Sequence, residues 1–352
     1  NSIFTGQSPS EHGFYDLKYS SSIKNIISEN NLFSFLRKNN FHSFGIIKSK
    51  GHNQNYEVHG YFDRYLFFDD IPNKTDNDDD KFISRTIDNL EVHKNNKNFT
   101  FIHFMKTHSP YYLPSYYEER YLSNNRISDP DEEFNKSQIG TGDTKIEVHL
   151  DEKQFNDNVR LRQKIRLKRT DMILGQLFDY INKNFNKRCL TILTADHGLP
   201  HGIKQNKILN DSWINIPLKI NLSDIKNYDF GEYKNSVSTT DIFNLTKYLV
   251  NNEDNKDLIY PFNDSISEED NFAVSESIFN QIYKVAIGNN SEIFRFACYF
   301  DPIKKTVFMS RVIKKNLYKN GQEISLEEDR LHYFLDVIKK NLKKSKYLNL
   351  QS

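Results

Sequence analysis

The sequence Leu193-Thr194-Ala195-Asp196-His197-Gly198 decides the fold, because an apolar segment ends there in an acid, an imidazole and a glycine. Residues 189–194 are predicted to form a buried strand. A carboxylate beside an imidazole suits one divalent ion, and Gly198 permits the sharp turn that aims both side chains. An ordinary strand-to-loop turn has the same composition, so the tripeptide alone leaves both interpretations open.

Helices, strands and loops alternate around this stretch up to about residue 260. The predicted strands are 42–47, 98–105, 189–194 and 214–220, and the predicted helical segments are 22–39, 156–185 and 240–250. Such alternation predicts an α/β fold with a mostly parallel central sheet and helices on both faces.

The pattern changes after Pro261, where predicted strands follow one another without intervening helices. They are residues 272–274, 282–287, 293–300 and 306–311, followed by a helix at 326–341. This order predicts a small C-terminal antiparallel sheet with one helix. We therefore expect an α/β domain over residues 1–260 and an α+β subdomain over residues 261–352.

Several local expectations follow from composition. Residues 1–16 are predicted to be a loop-like opening, residues 72–80 an exposed acidic loop, and residues 121–150 a long surface loop. The predicted buried stripe of the helix at 156–185 comprises Ile165, Met172, Ile173, Leu177 and Ile181.

The charge of the chain is balanced, with 48 Lys and Arg against 47 Asp and Glu among 352 residues. No global field attracts nucleic acid or a membrane, so any recognition of anions must be local. No apolar run is long enough to span a bilayer. Cys189 and Cys298 fit neither a disulfide framework nor a zinc site, and buried free thiols are predicted. The sequence indicates no oligomeric state.

A second predicted strand, residues 98–105, also ends in reactive side chains, those of Lys106 and His108. The ends of parallel strands are where ligand groups collect in α/β folds. These two side chains would hold an anion through charge-assisted hydrogen bonds, and a surface lysine beside a turn histidine is the alternative. His201 and Lys207 follow the Asp-His-Gly in the same way.

Several motifs stand in a fixed order along residues 5 to about 245. They are Thr5-Gly-Gln-Ser-Pro9-Ser-Glu-His12-Gly13, Gly45-Ile-Ile-Lys48, His59-Gly60-Tyr-Phe62-Asp63, Lys106-Thr-His108-Ser-Pro110-Tyr111, Thr194-Ala-Asp196-His197-Gly198, Asn210-Asp211 ahead of Ile216-Pro217-Leu218, and Ser238-Thr-Thr-Asp241-Ile242. Taken together they resemble the sulfatases of the alkaline-phosphatase superfamily.

The resemblance implies a metal bound by Asp196 and His197. In sulfatases that ion is usually calcium, whereas zinc or manganese serves the phosphate-handling relatives. The family's nucleophile lies in Cys/Ser-x-Pro-Ser-Arg, upstream of the Thr-Gly. The nucleophile and the first metal-binding carboxylates are therefore expected before Asn1.

The resemblance also implies catalytic and substrate-binding roles. Lys48, Lys106 and His108 would hold the anionic oxygens and the leaving-group oxygen of the ester. Lys207 would be a further catalytic lysine. His201 would contact the substrate, with a loop histidine as the alternative.

The function implied is metal-dependent hydrolysis of a sulfate ester through a covalent intermediate, outside the cytoplasm. A phosphoethanolamine-type transferase or a phosphodiesterase on the same fold is one alternative, because residues 103–112 also resemble the Gly-Ser-His-x-Pro-x-Tyr stretch of those transferases. A non-catalytic domain that binds an anionic glycan is another.

Overall fold

The computed structural model describes residues 2–13, 31–47, 61–67, 77–105, 107, 113, 152–185, 189–198, 209, 211–222, 236–251, 272–279, 281–289, 291–345 and 347–351. The chain forms two compact units. The first comprises residues 1–39, 191–200 and 206–352, and the second comprises residues 40–190 and 201–205. The domain boundary expected at residue 260 stays a prediction.

In chain order the described helices and strands are α1 Ser2–Thr5, α2 Pro9–His12, α3 Leu32–Lys38, β1 His42–Ile47, β2 Arg64–Phe67, α4 Asn77–Val92, β3 Asn98–His103, α5 Glu152–Asn184, β4 Leu190–Thr194, α6 Asp211–Ile214, β5 Leu218–Leu222, α7 Asp241–Asn251, β6 Ala273–Phe279, β7 Ile282–Gly288, β8 Glu292–Asp301, β9 Thr306–Lys319, β10 Gln322–Ile324, α8 Glu328–Lys343 and β11 Asn349–Gln351.

The second unit contains a parallel sheet in the order β2-β1-β3. Asp63, which directly precedes β2, binds the start of β1. Its carboxylate accepts hydrogen bonds from the amide and the hydroxyl of Ser43 at 2.7 and 2.8 Å. The apolar side chains of β1 pack against α4 and α5, and the core they form includes Phe44, Ile46, Phe82, Ile83, Ile173 and Leu177. The predicted α/β fold is confirmed.

Two sequence-based expectations in this unit are wrong. Residues 77–80 belong to the first turn of α4, and Asp79 is buried and accepts from Arg169 of α5 at 3.3 Å. Carboxylates are favourable at a helix N-terminus, which explains why this part of the acidic run is helical. Met172 is 61% exposed, whereas its neighbour Ile173 is buried, so the stripe on α5 is narrower than predicted.

The first unit contains an antiparallel sheet in the order β10-β9-β8-β7-β6, and β11 pairs with β9 in parallel. This confirms the C-terminal sheet predicted from sequence. Helix α8 covers the sheet, and the rings of Phe294 and Phe334 stack with centroids 4.7 Å apart and an interplanar angle of 6°. Consecutive buried residues in β7 and β8, at positions 285–287 and 294–298, supply much of this core.

The opening of the chain is not loop-like as predicted, because it contains α1 and α2. The carboxylate of Glu11 accepts from the Ser8 amide at 2.8 Å, and Pro9 occupies the first turn of α2. Gly13 ends α2 with φ 74°, a left-handed conformation that glycine adopts without strain. A serine followed three residues later by glutamate is a helix-start signal, which the sequence interpretation overlooked.

The strand predicted at 189–194 forms as β4, but it is half-buried rather than buried, and Leu193 is exposed. The strand predicted at 214–220 begins later, at Leu218, because residues 211–214 form the single-turn helix α6. Neither cysteine forms a disulfide, and Cys298 is buried whereas Cys189 is half-buried. Burial raises the pKa of the Cys298 thiol to about 12. Across the described ranges, no helix combines the length and apolar character that crossing a membrane requires.

Candidate functional site

The turn after β4 brings the side chains of Asp196 and His197 together. The His197 amide donates to Asp196 Oδ1 at 2.9 Å, and His197 Nε2 lies 3.7 Å from Asp196 Oδ2. Both side chains remain accessible, with 65% of Asp196 and 37% of His197 exposed. An accessible carboxylate and imidazole at a strand end are the arrangement that the sequence predicts.

The tautomer of His197 follows from its second ring nitrogen. Nδ1 lies 2.7 Å from the carbonyl oxygen of Gly198, and since a carbonyl only accepts, Nδ1 carries a proton. In the neutral ring the lone pair is then on Nε2, the nitrogen that faces Asp196. Metal-bound histidines characteristically donate their other ring N–H to a carbonyl or carboxylate in this way.

The Asp196 and His197 pair fits a divalent ion. Ligand bonds of about 2.0–2.5 Å from one ion to each atom can bridge a separation of 3.7 Å between Oδ2 and Nε2. Within the part of the chain that the structure describes, no third His, Cys, Asp or Glu joins them to complete a ligand group. Asp196 and His197 would supply two ligands of such an ion, which needs more than two.

Helix α6 contacts this turn at Gly198 and His197. The amide of Gly198 donates to the carbonyl oxygen of Trp213 at 2.9 Å. The Trp213 ring lies 5.0 Å from the His197 ring, with an interplanar angle of 44°. A Cβ on Gly198 would lie 2.0 Å from the carbonyl oxygen of Ser212, so only glycine allows this approach. The sequence interpretation missed Trp213, although it is the single tryptophan of the chain and follows Asp211 by two residues.

The segment from Thr5 to Gly13 includes a buried histidine, His12. His12 is buried, with 2% of its surface exposed, and its Nε2 lies 3.1 Å from Ser2 Oγ. Burial lowers the pKa of His12 to about 3, which keeps the ring neutral at neutral pH. His12 therefore has the environment of a packed core histidine.

The C-terminal sheet also contacts this segment, which sequence reasoning did not foresee. The carboxylate of Glu276 on β6 accepts from the Ser10 amide at 3.0 Å, from the Tyr283 hydroxyl at 2.6 Å and from the Asn341 amide group at 2.7 Å. The hydroxyl of Ser345 donates to the carbonyl oxygen of Ser10. No sequence signal marks Glu276, because its partners Ser10 and Asn341 lie 266 and 65 residues away along the chain.

Two of the seven predicted site residues, Asp196 and His197, are described, and the structure brings them together. The other five lie outside the described residues, and the expectation that they share a pocket stays a prediction. They are Lys48, Lys106, His108, His201 and Lys207. The expected surface loop at 121–150 also lies outside the described residues.

One family model matches most of the chain. It is described as Sulfatase and covers residues 1–257, which include both the Thr5 to Gly13 segment and the Asp196-His197 turn. A search of curated proteins gave no match.

Three solved structures resemble the chain at low identity. The lipoteichoic acid synthase LtaP from Listeria monocytogenes matches at 17% identity and a TM-score of 0.53, over 100% of this chain and 80% of its own. Ps i-CgsB in complex with k-i-k-neocarrahexaose matches at 13% identity and a TM-score of 0.56, over 98% and 82%. BT33336S-sulf, from glycosaminoglycan metabolism by Bacteroides thetaiotaomicron, matches at 10% identity and a TM-score of 0.57, over 97% and 87%. At these identities the likeness establishes the fold alone.

Proposed function

Because the chain belongs to the sulfatase family, we propose that it hydrolyses a sulfate ester, with Asp196 and His197 as two ligands of a divalent ion. The family makes it a hydrolase or phosphoryl-transfer enzyme. The observation that carries the proposal is the geometry of His197, whose Nδ1 lies 2.7 Å from the Gly198 carbonyl oxygen and whose Nε2 lies 3.7 Å from Asp196 Oδ2. Calcium is the proposed ion for a sulfatase, and zinc or manganese for a phosphate-handling relative.

Charge stabilisation would dominate the chemistry of such a site. A bound divalent ion supplies Lewis-acid stabilisation of the ester oxygens. In the proposal Lys48, Lys106 and Lys207 hold the anionic oxygens, because fixed positive charges stabilise the charge that develops on them. His108 contacts the leaving-group oxygen and donates a proton to it. His201 contacts the substrate.

The proposed reaction proceeds through a covalent intermediate on a side-chain nucleophile, which the motif order puts upstream of Thr5-Gly6. The substrate would be an anionic ester, and a sulfated glycan is the class proposed. An extracytoplasmic location is part of the same proposal.

A phosphoryl-transfer function is the second candidate. It is supported by the fold shared with the lipoteichoic acid synthase LtaP and by the similarity of residues 103–112 to the transferase motif. The two candidates differ in the ester that the site turns over, so they are separable by direct assay.

The test compares hydrolysis of an aryl sulfate and an aryl phosphate by the full-length protein, each with Ca²⁺, Mn²⁺ or Zn²⁺. Faster turnover of the sulfate supports the sulfatase, and faster turnover of the phosphate supports the second candidate. Asp196→Asn should abolish either activity, whereas Asp171→Asn, an exposed carboxylate on α5, is the matched control. A protein that binds metal but hydrolyses neither ester would overturn both candidates and leave a non-catalytic glycan-binding domain.

A further inference from the structure

Arg295 on β8 is a buried cation with one well-defined anionic partner. Only 5% of its surface is exposed, and its guanidinium lies 4.3 Å from the centre of the Tyr318 ring. Nη2 donates to Asp211 Oδ1 on α6. A guanidinium stays charged at every relevant pH, so burying it without an anion is costly, and Asp211 provides that anion.

Helix α6 depends on contacts with other parts of the fold. It is a single turn, Asp211–Ile214, closed by a hydrogen bond from the Asn215 amide to the Asp211 carbonyl oxygen at 2.9 Å, and none of its residues is buried. A helix of this length is not stable by itself, and its first residue, Asp211, is exposed, so burial does not hold that residue. The ion pair with Arg295 is thus a main attachment of its first residue.

The other end of α6 contacts the metal-binding turn. Trp213 accepts the Gly198 amide hydrogen bond and packs its ring against His197. A displacement of α6 would therefore move the His197 imidazole relative to the Asp196 carboxylate. Contacts run from Arg295 through Asp211 and Trp213 to His197, all within the first unit of the fold.

We propose that Arg295 is a positioning residue for the metal-binding turn, acting through Asp211 and helix α6. This inference rests on the proposed function, because it assigns Asp196 and His197 to a metal. It goes further in giving the C-terminal sheet a role in metal affinity. Residues that orient metal ligands from outside the ligand set change metal affinity by about 10–100-fold when they are altered.

The test uses Trp213, the one tryptophan in the sequence, as a reporter next to His197. Its emission is followed while CaCl₂ or MnCl₂ is added to the full-length protein, as the wild type and as the Asp211→Asn and Arg295→Met variants. Both variants should weaken metal binding by about 10–100-fold. Both should also shift the Trp213 emission of the metal-free protein. Trp213→Phe identifies the signal that belongs to this residue.

Two further variants separate positioning from stability. Arg295→Lys keeps the charge without the planar fork, and it should recover part of the metal affinity that Arg295→Met loses. Arg330→Met is the matched control, because Arg330 on α8 also pairs with a carboxylate, that of Glu292, and lies 4.9 Å from the Phe334 ring. It should leave metal affinity unchanged even if it lowers the melting temperature.

Turnover measured at different metal concentrations also distinguishes a positioning role from a purely structural one. Turnover of the Asp211→Asn variant should fall at limiting metal and recover at saturating metal, with KM for the aryl ester unchanged. Wild-type metal affinity and emission in both Asp211→Asn and Arg295→Met would overturn the inference, whatever the melting temperatures. Metal binding without ester hydrolysis in the wild type would overturn the proposed function alone. The emission spectra of the metal-free proteins test whether Arg295 and Asp211 position Trp213, and they do so even if no ion binds.

Discussion

The amide of Gly198 donates to the carbonyl oxygen of Trp213 at 2.9 Å, which brings α6 directly against the Asp196-His197 turn, the proposed metal site. A Cβ on Gly198 would lie 2.0 Å from the Ser212 carbonyl oxygen, a backbone atom that cannot rotate away. We expect Gly198→Ala to lower the free energy of unfolding by about 1–3 kcal/mol, as overpacking generally does. Urea unfolding measures this change, and the Trp213 titration measures the accompanying loss of metal affinity.

Gly175 on α5 is the matched control for this substitution. Apart from its chain neighbours and the adjacent backbone of its own helix, no heavy atom of the described residues lies within 4 Å of the position that its Cβ would occupy. Gly175→Ala should raise the free energy of unfolding by about 0.5–1 kcal/mol, because alanine costs less conformational entropy in a helix. Equal effects of the two substitutions would show that the approach of α6 to Gly198 is not tight.

Asp196→Ala should remove bound metal and with it the stabilisation that the metal supplies. A ligand at 100 times its Kd stabilises the folded state by about 2.7 kcal/mol, so the melting temperature should no longer rise with added Ca²⁺. Thermal unfolding with and without metal measures this response, and elemental analysis measures metal content. Asp171→Ala, on an exposed face of α5, should keep the wild-type response. Unchanged metal content in Asp196→Ala would remove Asp196 from the ligand set.

The sequence predicted those elements whose apolar pattern is determined locally. Strand β1 was predicted with its observed ends, and β7 and β8 were predicted to within a residue or two, because their buried runs are continuous. Helix α4, Asn77–Val92, was not predicted. Its first residues were assigned to an acidic loop, because carboxylates such as Asp79 suit both a solvated loop and a helix N-terminus. Only the fold, by bringing Arg169 to Asp79, distinguishes the two.

The site was predictable to the extent that one short motif contains it. Asp196 and His197 are adjacent in sequence, so their spacing alone predicts that they can share an ion. Arg295 and Glu276 were not predictable, since each acts on a partner 84 or 266 residues away. The sequence of a strand that contains a charged residue does not indicate which distant group that residue contacts in the fold.

His12 should make the protein less stable in acid. Its pKa is about 3 in the folded chain, chiefly because of burial, against an ordinary value of 6.5. Between these values the unfolded chain binds a proton that the folded chain excludes, so stability falls as pH falls from 6.5 toward 3, by about 1.4 kcal/mol per pH unit. Urea unfolding at pH 7, 5.5 and 4.5 measures the slope.

His12→Gln should lose this part of the acid dependence while keeping a polar group near Ser2. His332→Gln on α8 is the control for replacing a histidine with glutamine, because the His332 side chain is 68% exposed, whereas His12 is buried. A wild-type slope in His12→Gln would mean that carboxylates alone account for the loss of stability in acid.

Tyr283 should limit stability at alkaline pH. Complete burial first, and the neighbouring Glu276 carboxylate second, raise the pKa of the Tyr283 hydroxyl well above 10. Above pH 10 the unfolded chain releases a proton that the folded chain retains, so stability is present below that pH and is lost as pH rises beyond it. Denaturant unfolding between pH 8 and 11.5 should show this loss in the wild type and a smaller one in Tyr283→Phe.

At neutral pH Tyr283→Phe should lower the free energy of unfolding by only about 1 kcal/mol, because Glu276 keeps its bonds from Ser10 and Asn341. Tyr333→Phe on α8, where 40% of the residue is exposed, is the control for removing a tyrosine hydroxyl. If Tyr283→Phe keeps the full slope as well, another buried acid must release its proton on unfolding, and the hydrogen bond from Tyr283 to Glu276 does not set the alkaline limit.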